Sequence, residues 1–228
     1  ALQERAGVPV KPSTLSHISY LKSRGYIPQS IRNDIYVNLP KHVPKVFKEY
    51  ENLLAAENAV DFDDLVNLTV RYLSQHPECR RRMLQRYPVI AVDEFQDINK
   101  AQYGLFRLFA LSARDVCVIG DANQAIYGFR GASAKYFRNF TQDFPNAHAI
   151  QLTRNYRSAQ NILSASSQLL GSDGDGDGLW SKIAPEVMVQ LSTLSTDRAE
   201  AETIVHTIEQ LVGGVTFFSR DSQRVGDG

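Results

Sequence analysis

The sequence predicts an α/β protein in which helices cover a parallel sheet, preceded by a purely helical segment. After about residue 60, helical and strand-like patterns alternate along the chain, which is typical of parallel sheets. Before that point apolar residues recur only at helical spacing. A third observation is that strand-like runs end abruptly in polar or charged residues. Because open α/β sheets bind ligands at the carboxyl ends of their strands, these endings predict a functional site.

The amino-terminal segment predicts two helices. In the run KPSTLSHISYLKSRG, Leu15, Ile18 and Leu21 share one helical face, and Gly25 suits the left-handed position that ends a helix. The second apolar stripe comprises Val43, Val46, Phe47, Tyr50, Leu53 and Leu54. Neither run alternates with the period of a strand, so we expect this segment to be all-helical.

The rest of the chain predicts strands separated by helices. Strand-like apolar runs occupy residues 88–94, 115–121, 148–153 and 188–194. Helical stripes lie between them. The first comprises Phe62, Leu65, Val66, Thr69, Tyr72 and Leu73, the second Leu105, Leu108 and Phe109, and the third the aromatic set Tyr136, Phe137, Phe140 and Phe144. Ser158 is expected to cap a further helix. The run TDRAEAETIVHTIEQLVGG predicts the clearest helix, with Gly213 as its stop.

Composition narrows the classes of protein. With 228 residues, 43% hydrophobic and 22% charged, the chain is typical of an ordinary globular protein. No apolar run approaches the ~18 residues that span a bilayer, and the amino terminus lacks a signal-peptide layout, so we expect a cytoplasmic location and no membrane partner. Two cysteines, Cys79 and Cys117, cannot build a disulfide framework. Basic and acidic residues both total 25, so net charge neither favours nor excludes nucleic acid.

The run GSDGDGDG, residues 171–178, contains the letters that open a calcium loop. Counted from Asp173, position twelve is Ala184, where such a loop needs a bidentate glutamate. We therefore predict a flexible acidic linker.

The first polar ending follows the run VIAV and reads DEFQD. An aspartate and a glutamate at a strand end, here Asp93 and Glu94, are the arrangement by which nucleoside triphosphatases hold Mg²⁺ and align a water. Acidic pairs also open many ordinary loops, so this pair alone leaves both interpretations available.

The second ending, GDANQAIYGFRGA, follows the next strand-like run. Asp121 is followed by the neutral amide Gln124, which suits contact with a γ-phosphate or its attacking water. Tyr127, Phe129 and Arg130 follow without core periodicity, and exposed aromatics beside an arginine suit stacking on unpaired bases. In the third ending, QLTRNYRSAQNIL, Tyr156 offers a flat face and Arg157 a rigid fork for phosphate. These endings favour a site for both a nucleotide and a single strand.

Three segments, in this order and at these separations, resemble the UvrD/Rep family of superfamily-one DNA helicases. They are VDEFQD, GDANQAIYGFRGA and LTRNYRSAQNIL, which correspond to the three polar endings and are called the three blocks below. The run LLAAENAVDFDDLV, residues 53–66, adds to the resemblance, which covers residues 53–163 closely. The resemblance implies a partial α/β, parallel-sheet RecA-like core of the P-loop NTPase type with an amino-terminal helical insert. It implies ATP and Mg²⁺ as ligands, single-stranded and partially duplex DNA as partners, and 3′ to 5′ translocation in DNA repair or replication.

The resemblance also implies roles for the ATP-facing residues. Asp93 coordinates Mg²⁺, and Glu94 acts as general base toward the hydrolytic water. Gln124 senses the γ-phosphate, Tyr156 stacks on the adenine, and Arg157 is an arginine finger from a second domain. The second segment, here called the aromatic block, is expected to contact the single strand or to couple it to the ATP site. The residues expected to do so are Tyr127, Phe129 and Arg130.

By the same resemblance, the chain divides into three parts. Residues 1–58 correspond to a partial helical insert, 59–147 to the carboxyl-terminal part of the first RecA-like domain, and 148–228 to the start of the second. The family's phosphate loop, GxxxxGK[ST], does not occur in the sequence. We therefore interpret the chain as an internal part of a helicase and expect it to be inactive as an ATPase by itself.

Two other functions remain open at this point. One is the helicase portion of a RecB-like or AddA-like recombination nuclease subunit. The other, from a different class, is a non-catalytic scaffold that binds DNA through its aromatic block and lacks ATPase activity.

Overall fold

The structure is a computed structural model that describes residues 2–31, 39–171, 178–184 and 188–213. Its contacts group the chain into two compact units, Ala1–Ile150 and Gln151–Gly228. The expected insert and the expected first RecA-like part both fall in the first unit. Among the described helices, none combines the length and apolar character needed to span a membrane. Most of the predicted acidic linker, residues 172–177, lies outside the described residues.

The first unit contains most of the regular elements. Its helices are α1 (Leu2–Ala6), α2 (Pro12–Ser23), α3 (Val43–Ala56), α4 (Phe62–Gln75), α5 (Pro77–Arg86), α6 (Lys100–Ala110), α7 (Lys135–Arg138) and α8 (Phe140–Asp143). Its strands are β1 (Val89–Val92) and β2 (Asp115–Val118). Short 3-10 turns occur at Pro28–Ser30, Phe95–Asp97, Ala122–Gln124 and Gly128–Arg130. The second unit contains α9 (Gln160–Leu169) and α10 (Asp197–Val212).

Helices α1 to α3 share a small apolar core, as their stripes predict. Proline at the first position of α2 suits a helix start, and Gly25 just beyond its end is left-handed with φ 78°. The buried side chains are Ala6, Ile18, Leu21, Val43, Val46 and Phe47. The predicted all-helical character of this segment is confirmed for its described residues.

A buried lysine joins α2 to α3 and α4. Lys22 is 2% exposed, and its Nζ lies 2.9 Å from Glu51, 2.7 Å from Asp61 and 2.7 Å from Asp64. Tyr50 donates its hydroxyl hydrogen to Asp61 at 3.0 Å. Burial alone would lower the pKa of Lys22, but the three carboxylates outweigh it and raise that pKa. The charged ammonium of Lys22 and the three carboxylates thus stabilise one another electrostatically.

The two strands form a parallel pair in register from Val89 opposite Asp115 to Val92 opposite Val118. On one face, Ile90, Val92, Val116 and Val118 pack against an aromatic core. On the other face, Val89 is 48% exposed. The predicted parallel pairing is confirmed for these two strands, but the described elements cover only one side of the sheet with helices.

The aromatic core is built from Phe95, Tyr103 and Phe106, with Phe140 and Phe144 packed against it. The ring centroids of Phe95 and Phe106 lie 4.9 Å apart in an edge-to-face arrangement, which aromatic pairs favour. The predicted aromatic stripe is confirmed. Its helix is not continuous, because α7 and α8 are separate short helices on either side of residue 139.

The two further strands predicted at 148–153 and 188–194 are wrong: the structure assigns neither segment to a sheet. Ile150 is 85% exposed and Leu191 is 95% exposed. Instead, Thr153 accepts a backbone hydrogen bond from Trp180 at 2.9 Å. A strand needs a neighbour to complete its hydrogen bonds, and these apolar runs have no paired strand beside them in the described residues.

In the second unit, α9 begins at Gln160 after Ala159, without a side-chain cap, so the prediction that Ser158 caps it is wrong. The prediction for α10 is confirmed. Thr196 accepts the N–H of Ala199 at 3.2 Å as an N-cap, and Gly213 ends the helix with φ 75°.

Candidate functional site

The polar endings of β1 and β2 lie side by side, because the strands are adjacent and parallel. Beyond the strands, the N–H of Ile119 donates to Val92 at 2.8 Å, and the N–H of Phe95 donates to the carbonyl of Ile119 at 2.9 Å. These bonds extend the pairing past the last strand residues. They bring Glu94 and Asp121 to one edge of the sheet.

Glu94 adopts a left-handed backbone conformation, with φ 50° and ψ 41°. A non-glycine residue in this region costs on the order of 1 kcal/mol or more, and such strain clusters at functional sites. The N–H of Glu94 donates to Asp93 Oδ1 at 2.9 Å. Both carboxylates are exposed, so they present negative charge to solvent at the strand end.

Gln96 connects the two strand ends. Its side chain is 1% exposed, and its Nε2 donates to Glu94 Oε2 at 2.6 Å while its Oε1 accepts the N–H of Asp121 at 3.0 Å. The sequence alone did not predict a role for Gln96. The only sequence signal was a neutral amide among the carboxylates of DEFQD, and the partner 25 residues away could not be read from it.

Gln124 belongs to the same network. Asp121 accepts the Nε2 hydrogen of Gln124 through Oδ2 at 2.8 Å, and the N–H of Asn123 through Oδ1 at 2.9 Å. A continuous path therefore runs from Glu94 through Gln96 and Asp121 to Gln124. We call these four residues the strand-end network.

Asp93 fits the donor requirements of Mg²⁺. This ion takes oxygen ligands and is usually bound by one or two carboxylates, with waters and substrate phosphates completing its shell. Among the described residues no group of three His, Cys, Asp or Glu side chains gathers into an all-protein metal site. An exposed aspartate at the strand end suits a magnesium site in which one carboxylate, waters and substrate phosphates together bind the ion.

Tyr127, Phe129 and Arg130 lie together around the turn Gly128–Arg130. The guanidinium carbon of Arg130 is 5.5 Å from the ring centroid of each aromatic, within cation–π range. Phe129 is 74% exposed. Gly131 follows with φ 83°, and an added Cβ there would collide with Ser23 Oγ, so glycine allows the turn to sit against α2.

These three side chains line a cleft of about 750 Å³ in the first unit, here called the aromatic cleft. Its other walls come from α2, Tyr50 of α3, residues 61–63 at the start of α4, and residues 97–102. Phe62 lines it and is 90% exposed. As the first residue of α4, Phe62 begins the apolar stripe of that helix and faces the cleft.

The third predicted block lies in the second unit. Tyr156 is 74% exposed, and the guanidinium carbon of Arg154 lies 4.6 Å from its ring centroid. Asn155 Oδ1 accepts the N–H groups of Arg157 and Ser158 at 2.8 Å and 2.7 Å, which shapes the turn before α9. The structure thus gathers Asp93, Glu94 and Gln124 in one unit, and Tyr156 with Arg157 in the other.

Comparison with known proteins identifies the family. Residues 5–145 match the family model for the UvrD/REP helicase N-terminal domain, which is more than half of the chain. The chain belongs to the UvrD/REP helicase family. The matched range contains the strand-end network and the aromatic cleft, and it stops before the block with Tyr156 and Arg157.

Individual relatives agree with this assignment to the UvrD/REP family. The chain is 36% identical over 193 residues to a protein named ATP-dependent DNA helicase PcrA from Staphylococcus epidermidis, covering 84% of the chain and 26% of that relative. A relative of the same name from Leuconostoc citreum is 37% identical over 171 residues, covering 74% of the chain and 23% of the relative. The chain therefore spans about a quarter of the length of these relatives.

Proposed function

We propose that this chain is part of an ATP-dependent DNA helicase that couples ATP hydrolysis to movement along single-stranded DNA and to duplex unwinding. The observation that carries the proposal is the strand-end network, in which an exposed glutamate is hydrogen-bonded through Gln96 and Asp121 to a second polar group, Gln124. Such an arrangement suits the alignment of a water beside a nucleotide phosphate. The names of the PcrA relatives support ATP and DNA as its ligands.

In the proposed reaction, Glu94 accepts a proton from water while the water oxygen bonds to the γ-phosphorus of ATP. The bond from that phosphorus to the β-phosphate bridging oxygen breaks, which releases ADP and phosphate. Asp93 would hold Mg²⁺, and the ion would neutralise charge on the phosphate oxygens. Solvent reaches Glu94, because its side chain is exposed at the strand end. The αL backbone of Glu94 and its hydrogen bond from Gln96 keep the carboxylate at this solvent-accessible position.

Three further residues complete the proposed ATP site. Gln124 contacts the γ-phosphate or its attacking water without neutralising either. Tyr156 stacks on the adenine, and Arg157 supplies a guanidinium to the developing charge. The exposed ring of Tyr156 and the outward position of Arg157 suit these roles.

The aromatic cleft is the proposed contact with single-stranded DNA. Exposed rings at Tyr127, Phe129 and Phe62 offer flat faces to bases, and Arg130 adds a positive charge for the strand. Stacking of a base on an aromatic ring contributes about 1 to 3 kcal/mol. By family resemblance we propose 3′ to 5′ movement, single-stranded and partially duplex DNA as substrates, and a role in repair or replication.

The proposal is tested by Glu94→Gln in the full-length protein that carries this chain. The substitution keeps the shape of the side chain and removes its basicity, so steady-state phosphate release with saturating single-stranded DNA should fall by roughly 10² to 10⁴. ATP affinity, measured by equilibrium binding of a fluorescent analogue, should stay close to wild type.

Two results would contradict the proposal. Wild-type protein without DNA-stimulated ATP hydrolysis would favour the non-catalytic scaffold. Normal turnover per bound ATP in Glu94→Gln would remove Glu94 from the role of base.

A further inference from the structure

A fully buried amide lies between the exposed carboxylates of the strand ends. Gln96 is 1% exposed, yet both polar atoms of its side chain are hydrogen-bonded. Buried polar groups are expensive unless satisfied, so a glutamine in this position needs both partners.

The chemistry of the partners fixes the orientation of the amide. Glu94 Oε2 belongs to an ionised carboxylate that only accepts hydrogen bonds, and the N–H of Asp121 only donates. The amide must therefore point Nε2 toward Glu94 and Oε1 toward Asp121. No flipped arrangement satisfies either partner, so this side chain has one orientation.

Close packing further restrains the amide. A Cβ at Gly120 would lie 2.5 Å from Gln96 Oε1 and 3.3 Å from both Phe137 and the backbone nitrogen of Phe95. Glycine at position 120 thus lets the second strand end approach the amide closely. The carboxylate of Glu94, exposed and on a flexible stem, gains a rigid partner from the protein interior.

We propose that Gln96 is a positioning residue for the hydrolytic reaction. It holds the Glu94 carboxylate in one orientation and links that orientation, through Asp121, to Gln124. The inference rests on the proposed function and deepens it, since it assigns the alignment of the base to a residue that touches neither water nor phosphate. A misplacement of about 1 Å at a reacting group costs up to 10²-fold in rate.

The first experiment substitutes Gln96 in the full-length protein. Gln96→Met keeps a similar volume and loses both hydrogen bonds, whereas Gln96→Glu keeps an acceptor for Asp121 and loses the donor to Glu94. Both variants should lower kcat for DNA-stimulated ATP hydrolysis by roughly 10- to 100-fold while KM for ATP changes less than about threefold. Gln142→Met, an exposed glutamine on α8, is the matched control and should retain wild-type kcat.

The second experiment separates positioning from a purely structural role. If Gln96 acts through Glu94, the double variant Glu94→Gln with Gln96→Met should be no slower than Glu94→Gln alone. Hydrogen exchange at the Asp121 amide should become faster in Gln96→Met, because that N–H loses its acceptor, and stay slow in Gln96→Glu.

The outcomes are distinguishable. Wild-type kcat in Gln96→Met, or a lower melting temperature with unchanged kcat per folded molecule, overturns the inference while Glu94→Gln still shows the proposed function. Rate losses that multiply in the double variant also overturn it, because Gln96 then acts independently of Glu94. Normal turnover in Glu94→Gln removes the proposed function itself, and the inference falls with it.

Discussion

Phe129 illustrates how exposure separates recognition from packing at a single residue. Because the ring is 74% exposed, Phe129→Ala should change the free energy of unfolding by less than about 1 kcal/mol. In the full-length protein, loss of the stacking face should weaken single-strand binding by roughly ten- to a hundredfold. Fluorescence anisotropy with a labelled oligonucleotide measures this, and ATP binding without DNA should be unchanged.

Tyr87→Ala serves as the control for Phe129. Tyr87 is also an exposed aromatic, at 58%, but it lies outside the aromatic cleft. Its removal should leave oligonucleotide affinity close to wild type. Equal losses of affinity in both variants would contradict a specific contact between Phe129 and the strand. A large drop in melting temperature for Phe129→Ala would show that its ring has a packing role.

Two glycines differ in what a methyl group would meet. At Gly120 an added Cβ lies 2.5 Å from Gln96 Oε1, so Gly120→Ala should destabilise the chain by about 1 to 3 kcal/mol. At Gly104, inside α6, an added Cβ would meet no atom within 4 Å outside the adjacent backbone of its own helix, so Gly104→Ala should stabilise the chain by about 0.5 to 1 kcal/mol. Urea unfolding of both variants measures the two signs. Equal effects would contradict the close approach at Gly120.

At the residue scale, the sequence located the polar groups but not their connections. Asp93 and Glu94 follow β1 and Asp121 follows β2, as the ends of the apolar runs predicted. The bridge from Gln96 to Asp121 depends on which strands are neighbours, and a single sequence does not specify that. The αL backbone of Glu94 was also unpredictable, because the left-handed region is uncommon for glutamate.

At the element scale, the joint between α2, α3 and α4 should respond to alkaline pH. Burial, followed by the hydrogen bond to Asp61, raises the pKa of Tyr50 to about 12. A raised pKa adds stability that is complete below the unfolded value of about 10 and is lost as pH rises through the folded value. The stability difference between wild type and Tyr50→Phe should therefore shrink between about pH 10 and pH 12.

Chemical unfolding at several pH values checks the prediction for Tyr50. Absorbance at 295 nm, taken as the difference between wild type and Tyr50→Phe, follows the same phenol directly. A difference that is constant from pH 9 to pH 12, or a phenol that ionises at its ordinary pKa, would contradict the hydrogen bond to Asp61.

Helices were easier to predict than strands for a physical reason. The stripes of α2, α3 and α10 lie within continuous runs of sequence, and helical hydrogen bonds are local. The segments 148–153 and 188–194 have strand-like composition, but a strand is completed only by a distant neighbour. Local pattern therefore predicts a preference for extended backbone, while the pairing itself is not written locally.

For the whole molecule, we predict that the chain of 228 residues does not hydrolyse ATP by itself. The sequence contains no GxxxxGK[ST] run, whose lysine and backbone would grip the β- and γ-phosphates. Phosphate release with saturating single-stranded DNA should stay below about one turnover per second, the low end of ordinary enzyme rates. Faster turnover would show that other residues hold the phosphates.

The division into three parts remains a prediction. Contacts separate the chain after Ile150, close to the expected boundary after residue 147, but they place residues 1–58 and 59–147 in one unit. The buried Lys22 gives a reason for that grouping, since it connects α2 to Asp61 and Asp64 at the start of α4. Amphipathic patterns reveal a helix face without revealing which partner covers it.

One face of the two-stranded sheet is left uncovered by the described residues, and it should favour self-association of the isolated chain. Val89 is 48% exposed and Ile119 is 52% exposed, and Ala91 and Cys117 are exposed beside them. When two copies of the chain meet at this apolar surface, water is released from it, so the net interaction between the copies should be attractive. Static light scattering of the isolated chain should give a negative osmotic second virial coefficient. Val89→Lys should move that coefficient toward positive values, because a charge on this face repels its neighbour.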